Sequence, residues 1–306
     1  MREIVFVLPA LALLAGTASA QTDWHPGSGH PTLKLWPSGA PGPDTANGPE
    51  HLLTGPKYHD MANRPVMRLA NVKAPTITFY AAPAAHNSGA AVVVFPGGAY
   101  RYLAIDLEGT EVCAWLNSIG VNCVLLKYRV PNTGPYPKSV EALQDAQRAM
   151  GLVREHAEAW QIDSERIGVI GFSAGAYLAA ALSTHFEERM YPAVDAADQF
   201  SCRPNFEMVI YPGYLSISEK NFEFNPAISV TADVPPTFLV QAEDDPVHVE
   251  NVIKYFMKLK EAGVAAELHV YAQGGHGYGL RRTNLPITGW PTLADTWLHT
   301  TGVLRH

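Results

Sequence analysis

Basic residues are scarce in this sequence. Its 22 Lys and Arg stand against 29 Asp and Glu, a formal net charge of −7, and no Lys/Arg cluster interrupts that balance. A nucleic-acid partner is thereby excluded, since phosphate recognition needs a basic patch. Cysteine is almost absent: Cys113, Cys123 and Cys202 are the whole complement. No CxxC pair and no His/Cys cluster has zinc spacing. In an oxidising compartment three thiols leave at least one unpaired. Cys113 on a predicted helix and Cys123 at the start of the next strand are placed so that a bridge is geometrically possible; buried, unpaired cysteines are the simpler expectation. Repeats and low-complexity segments are also missing. Long apolar runs are missing with one exception, from Ile4 to Ala15, flanked by Met1-Arg2-Glu3 and by Ala18-Ser19-Ala20 before Gln21. A basic residue, a short apolar core and a small-x-small site read as a signal peptide over residues 1–20, cleaved after Ala20. The run is too short to span a bilayer comfortably. The expectation is a periplasmic or secreted protein with no membrane contact after cleavage.

What is present is ordinary for a folded protein: 47% hydrophobic and 17% charged residues over 306 positions. The 25 glycines and 24 prolines suggest long ordered loops. Residues 21–70 are rich in Pro, Gly and His with little periodicity and read as an extended N-terminal arm lying over the domain. Their histidines (His25, His30, His51, His59) have no metal-ligand spacing and read as solvated loop residues. From there strands alternate with helices. Strands are expected at Thr76–Ala81, Ala91–Phe95, Val121–Lys127, Met208–Tyr211, Thr237–Gln241 and Glu267–Tyr271. Helices are expected at Gly109–Ile119, Ser139–Trp160, Val247–Ala262 and Trp290–Gly302. Residues 213–235 form an aromatic, irregular insertion. This rhythm predicts one α/β domain over 71–306, a mostly parallel sheet covered by helices on both faces.

The segment Gly171-Phe172-Ser173-Ala174-Gly175 matches the G-x-S-x-G elbow. A short apolar strand, Arg166–Ile170, precedes it, and the small-residue helix opening at Ala176 follows. Glycines two residues either side of a serine permit a strained strand-to-helix corner that holds the hydroxyl clear. A Gly-rich connection in which Ser173 merely caps the helix is the alternative.

A serine hydroxyl is a poor nucleophile until a histidine takes its proton and a carboxylate orients that histidine. His276, in Gly274-Gly275-His276-Gly277-Tyr278-Gly279, follows the last predicted strand. His269 and His299 lie inside regular elements and read as structural. Asp245 follows the strand ending at Gln241; Glu243 and Asp244 compete with it, and Asp245 could also cap the helix after Pro246. Oxyanion donors are expected from the N–H groups of Ala174 and of Gly98 and Ala99, in the loop after Ala91–Phe95. Tyr100, Arg101 and Tyr102 come next and are expected to line an acyl or sugar pocket. Arg129 is expected to hold a structural carboxylate such as Asp145.

With these residues assembled, the sequence resembles the α/β-hydrolase superfamily, and within it the exported bacterial esterases of the acetyl xylan esterase and feruloyl esterase type. The resemblance rests on Pro96–Tyr100 with Glu108-Gly109, on Leu126–Arg129, Asp145–Ala149, Arg166–Gly175, Pro235–Val240 and Gly274–Gly279. Ala99 departs from it where a third glycine is usual, as does Gln241-Ala242 where His-Gly is common. The resemblance implies a hydrolase fold with a small cap, no cofactor, no metal, and a small-molecule or polysaccharide acyl ester as substrate. An amidase or peptidase on the same fold is the alternative, then a non-catalytic binding protein on this scaffold. Nothing in the sequence fixes an oligomeric state.

Overall fold

The computed structural model describes residues 24–55 and 58–305. The expected signal peptide lies outside these residues. Among them, no helix is long and apolar enough to cross a membrane.

The segment read as an irregular arm contributes strands β1 (Thr32–Lys34), β2 (His51–Leu53) and β3 (Arg68–Ala70). The alternating part follows with β4 (Thr76–Tyr80), β5 (Ala91–Phe95), β6 (Tyr102–Ala104), α1 (Glu111–Ser118) and β7 (Asn122–Lys127). Next come α2 (Glu141–Glu155), β8 (Ile167–Phe172), α3 (Ala174–Thr184) and β9 (Glu207–Ile210). The insertion folds as a hairpin, β10 (Ser216–Ile217) and β11 (Glu223–Phe224). The chain ends with β12 (Thr237–Ala242), α4 (Glu250–Glu261), β13 (Ala266–Tyr271) and α5 (Trp290–Thr300).

An eight-stranded sheet runs β1-β4-β7-β5-β8-β9-β12-β13. From β7 to β13 every pairing is parallel, while β4 is antiparallel to both of its neighbours. Every residue of β5, β8, β9 and β12 is buried, so the centre of the sheet is covered on both faces. That explains the unbroken apolar runs of β5 and β8, which a half-exposed strand would interrupt with polar residues; the polar residues within β9 and β12, Glu207, Thr237 and Gln241, are buried and hydrogen-bonded. Helices α1 and α5 meet through Trp115 and Trp290, ring centroids 5.5 Å apart; α2 packs on α3.

Three differences from the sequence-based expectation stand out. The arm is built in: β1 pairs with β4, β2 and β3 form a small sheet with β6, and Trp24, Leu35 and Trp36 are buried. The helix expected at 139–160 is cut to Glu141–Glu155. Cys113 and Cys123 form a disulfide tying α1 to β7, and Cys202 alone is left as a buried thiol among the described residues; burial pushes that thiol up.

Two buried arginines fasten the layers. Arg129 pairs with Asp145, as expected, and Asp145 also accepts the Trp36 indole N–H at 2.7 Å. Arg281 donates to the carbonyls of Met61, Arg64 and Pro65 and pairs with Asp106 and Glu111. It thus clasps the arm to the residues that open α1.

Candidate active site

Strand β8 ends at Phe172 and α3 begins at Ala174, so Ser173 alone makes the corner, with φ +52°. This is a conformation a residue with a side chain rarely adopts, and surrounding structure must hold it. Here the Ser173 N–H donates to the Ile210 carbonyl at 3.0 Å, and its own carbonyl accepts from Ala176 and Tyr177. The flanking glycines are a packing necessity. A Cβ on Gly171 would overlap the Gly175 carbonyl, and one on Gly175 would overlap Phe95.

The Ser173 hydroxyl lies 2.8 Å from His276 Nε2, and His276 Nδ1 lies 2.9 Å from Asp245 Oδ2. A carboxylate oxygen only accepts, so Nδ1 carries the ring proton and Nε2 is left to accept from the serine. Asp245 is buried and held on both oxygens: Gln241 Nε2 donates to Oδ2 at 3.0 Å and the Val247 N–H to Oδ1 at 2.7 Å. Asp244, its neighbour and competitor, points elsewhere. Its Oδ1 accepts the N–H groups of Gly274 and Gly275, bracing the loop that carries His276. Glu243 is exposed.

After β5 the chain turns through Gly97–Tyr102. Gly98, Ala99 and Tyr100 take positive φ in succession, at +136°, +54° and +58°. The Gly98 carbonyl accepts from Arg101 and Tyr102, closing the turn. Gly97 N–H is spent on Glu108 Oε2 at 2.7 Å. The N–H groups of Gly98, Ala99 and Ala174 have no acceptor among the described residues, and Gly98 and Ala99 line the same cavity as Ser173 and His276. Donors of this kind can stabilise charge that develops on a substrate oxygen.

That cavity measures about 770 Å³. Gly98, Ala99 and Tyr102 form one wall; Tyr214 and Ile217 of the insertion, Val247 and His248 form others; His59 and Asp60 come from the arm. Of the three residues expected to line a pocket, Tyr102 does so. Tyr100 does not: its ring is buried, against the core residue Tyr128 on one side and against Tyr214 of the cavity wall on another. Arg101 is exposed and also lies off the cavity. Sequence reasoning gave no role to Gln241, Glu108 or Tyr211, and weighed Asp244 only as a rival for the acid. The Glu108-Gly109 pair was visible in the resemblance, but its partners are more than ten residues away.

A protein-family profile described as an alpha/beta hydrolase fold matches residues 92–280. Acetylxylan esterase of Xylanibacter ruminicola is 30% identical over 217 residues, covering 63% of this chain and 42% of that protein. Endo-1,4-beta-xylanase B of Butyrivibrio fibrisolvens is 27% identical over 217 residues, covering 65% of this chain and 34% of that protein. This chain therefore spans less than half the length of either. The crystal structure of an acetyl ester-xyloside bifunctional hydrolase from Caldicellulosiruptor lactoaceticus superposes with a TM-score of 0.67 at 35% identity, covering 77% of this chain and 91% of that one. The profile spans more than half of the sequence, including the elbow and the histidine loop, and the chain belongs to the alpha/beta hydrolase fold family.

Proposed function

We propose that this protein is a serine carboxylic ester hydrolase that removes acetyl or feruloyl groups from plant-wall polysaccharide such as xylan, outside the cytoplasm. The observation that carries the reading is the hydrogen-bonded relay from Ser173 through His276 to Asp245, at 2.8 and 2.9 Å. The names of the relatives support the acyl class and the polysaccharide.

Ser173 Oγ attacks the ester carbonyl carbon while its proton passes to His276 Nε2. Asp245, already bound to Nδ1–H, stabilises the imidazolium and keeps the ring in place. The tetrahedral oxyanion is met by the N–H groups of Gly98, Ala99 and Ala174. Collapse of the intermediate breaks the C–O bond, and the departing alcohol oxygen takes the proton from His276. Water then gives its proton to Nε2, adds to the acyl-serine, and the acid leaves as Ser173 recovers its proton. A cavity of about 770 Å³ leaves room for an acyl group together with part of the alcohol.

The test is wild type and Ser173→Ala against p-nitrophenyl acetate, acetylated xylan, methyl ferulate and the amide p-nitroacetanilide. The variant is expected to keep the wild-type melting temperature, to lose turnover and to escape fluorophosphonate labelling. Turnover that persists in Ser173→Ala removes the assignment, and a preference for amides over esters replaces it with an amidase.

A further inference from the structure

The acyl-transfer steps give Glu108 no task, yet the fold goes to unusual length to keep it. It is 4% exposed and sits in the π-turn Asp106–Thr110 that leads into α1; such turns are rare and concentrate at functional sites. Its two oxygens face two different loops. Oε2 accepts the Gly97 N–H at 2.7 Å, one residue before the expected oxyanion donors. Oε1 accepts the Tyr211 O–H at 2.8 Å. Tyr211 Oη in turn accepts the Gly279 N–H at 3.1 Å, three residues beyond His276, and the Tyr211 ring packs edge-on against the His276 imidazole at 5.1 Å.

One carboxylate therefore joins the two loops that flank Ser173. Burial pushes the Glu108 carboxyl up, opposed by the Tyr211 hydroxyl, the Gly97 N–H and the His276 imidazole, while Asp106 pushes it further up. Tyr128 also faces it, with its hydroxyl donating to the Pro96 carbonyl. A buried carboxyl is costly to keep, and an apolar side chain in its place would remove that cost. It would also leave the Gly97 N–H and the Tyr211 O–H without acceptors.

We propose that Glu108 is a positioning residue for acyl transfer: by accepting from Gly97 and from Tyr211, it holds the Gly98/Ala99 donors and the His276 loop in register with the Ser173 hydroxyl. This rests on the serine-esterase reading. The carboxylate suits the task because both oxygens accept. A glutamine offers one acceptor and one N–H₂, so only one of the two loops keeps its partner.

The experiment compares wild type, Glu108→Gln and Tyr211→Phe on p-nitrophenyl acetate, well below each variant's measured melting temperature. Glu108→Gln is expected to lose about tenfold or more in kcat, with KM changed by less than about threefold, as for groups that act on the transition state. Wild-type kcat in folded Glu108→Gln overturns the proposal, because a purely structural residue lowers the melting temperature alone. Should Glu108→Gln not fold, Tyr211→Phe decides. It removes a single O–H from the connection, and a fall in kcat at constant KM supports the proposal, whereas wild-type kinetics overturns it. If wild type itself neither hydrolyses esters nor takes a fluorophosphonate label, the esterase reading falls and this proposal with it.

Discussion

Gly98→Ala is the sharpest perturbation the site offers. At φ +136° only glycine is comfortable, and a Cβ built there lies 2.7 Å from the Tyr102 carbonyl carbon and overlaps its oxygen. The clash is with backbone, so no side chain can swing away to relieve it. The backbone strain alone costs about 1–3 kcal/mol. Opening the turn to relieve the overlap puts at risk the two bonds onto the Gly98 carbonyl, from Arg101 at 2.9 Å and Tyr102 at 3.3 Å, each contributing about 1 kcal/mol. A loss of about 3–5 kcal/mol is within what a domain with about 5–15 kcal/mol of stability can bear, so the variant should fold. The same opening moves the Gly98 N–H away from where the proposed oxyanion would sit, and removal of one such donor lowers kcat by about 10²–10³. Thermal melting and steady-state kinetics on p-nitrophenyl acetate read both effects. A lowered melting temperature with kcat within about fivefold of wild type would show that these N–H groups are not used. Wild-type values of both would show that the turn accommodates a Cβ, refuting the steric argument.

Asp244→Ala removes the acceptor for Gly274 and Gly275. It should cost about 1–2 kcal/mol in urea melts and lower kcat only severalfold; a loss as large as that of Asp245→Asn would show that the acid is misassigned. Glu207, buried and accepting from the Thr237 and Tyr255 hydroxyls, is pushed up by burial. Its folded form holds the proton more tightly than the unfolded chain, so stability falls as pH rises from the ordinary carboxylate value through the raised one. Glu207→Gln should therefore melt higher than wild type at neutral pH, with the gap closing on acidification; a gap independent of pH contradicts this. Reducing the Cys113–Cys123 bridge, whose sequence separation is 10, should cost roughly 3 kcal/mol by loop entropy, seen as a lower melting temperature under thiol reductant. An unchanged melting temperature would show that the bridge contributes nothing in solution.

The elements that sequence reasoning found are those whose cause is local. The run Ala91–Phe95 is apolar because both faces of β5 are covered, and the spacing of Gly171 and Gly175 about Ser173 is a local signature, although Gly175 also makes room for the distant Phe95. His276 and Asp245 could be found because each follows a strand that announces itself. The pieces that escaped are non-local. β1, β2, β3 and β6 have three residues each, too few for any period, and exist because partners elsewhere offer them hydrogen bonds. Tyr100 and Tyr102 look equivalent in sequence, but one ring is buried against Tyr128 and Tyr214 and the other lines the cavity. Glu108 enters the sequence reading only through the Glu108-Gly109 pair of the resemblance, and its enclosure by Gly97 and Tyr211 lies at distances no motif records.

The clasp at Arg281 bears on how this protein could be cut or grafted. Composition draws a boundary near residue 70, but trimming there would strip three carbonyls from a guanidinium that is almost wholly enclosed, leaving it to Asp106 and Glu111 alone. The same cut would uncover β4 as a raw sheet edge, an invitation to pair with another copy. The smallest transplantable hydrolase in this chain therefore includes its proline-rich beginning.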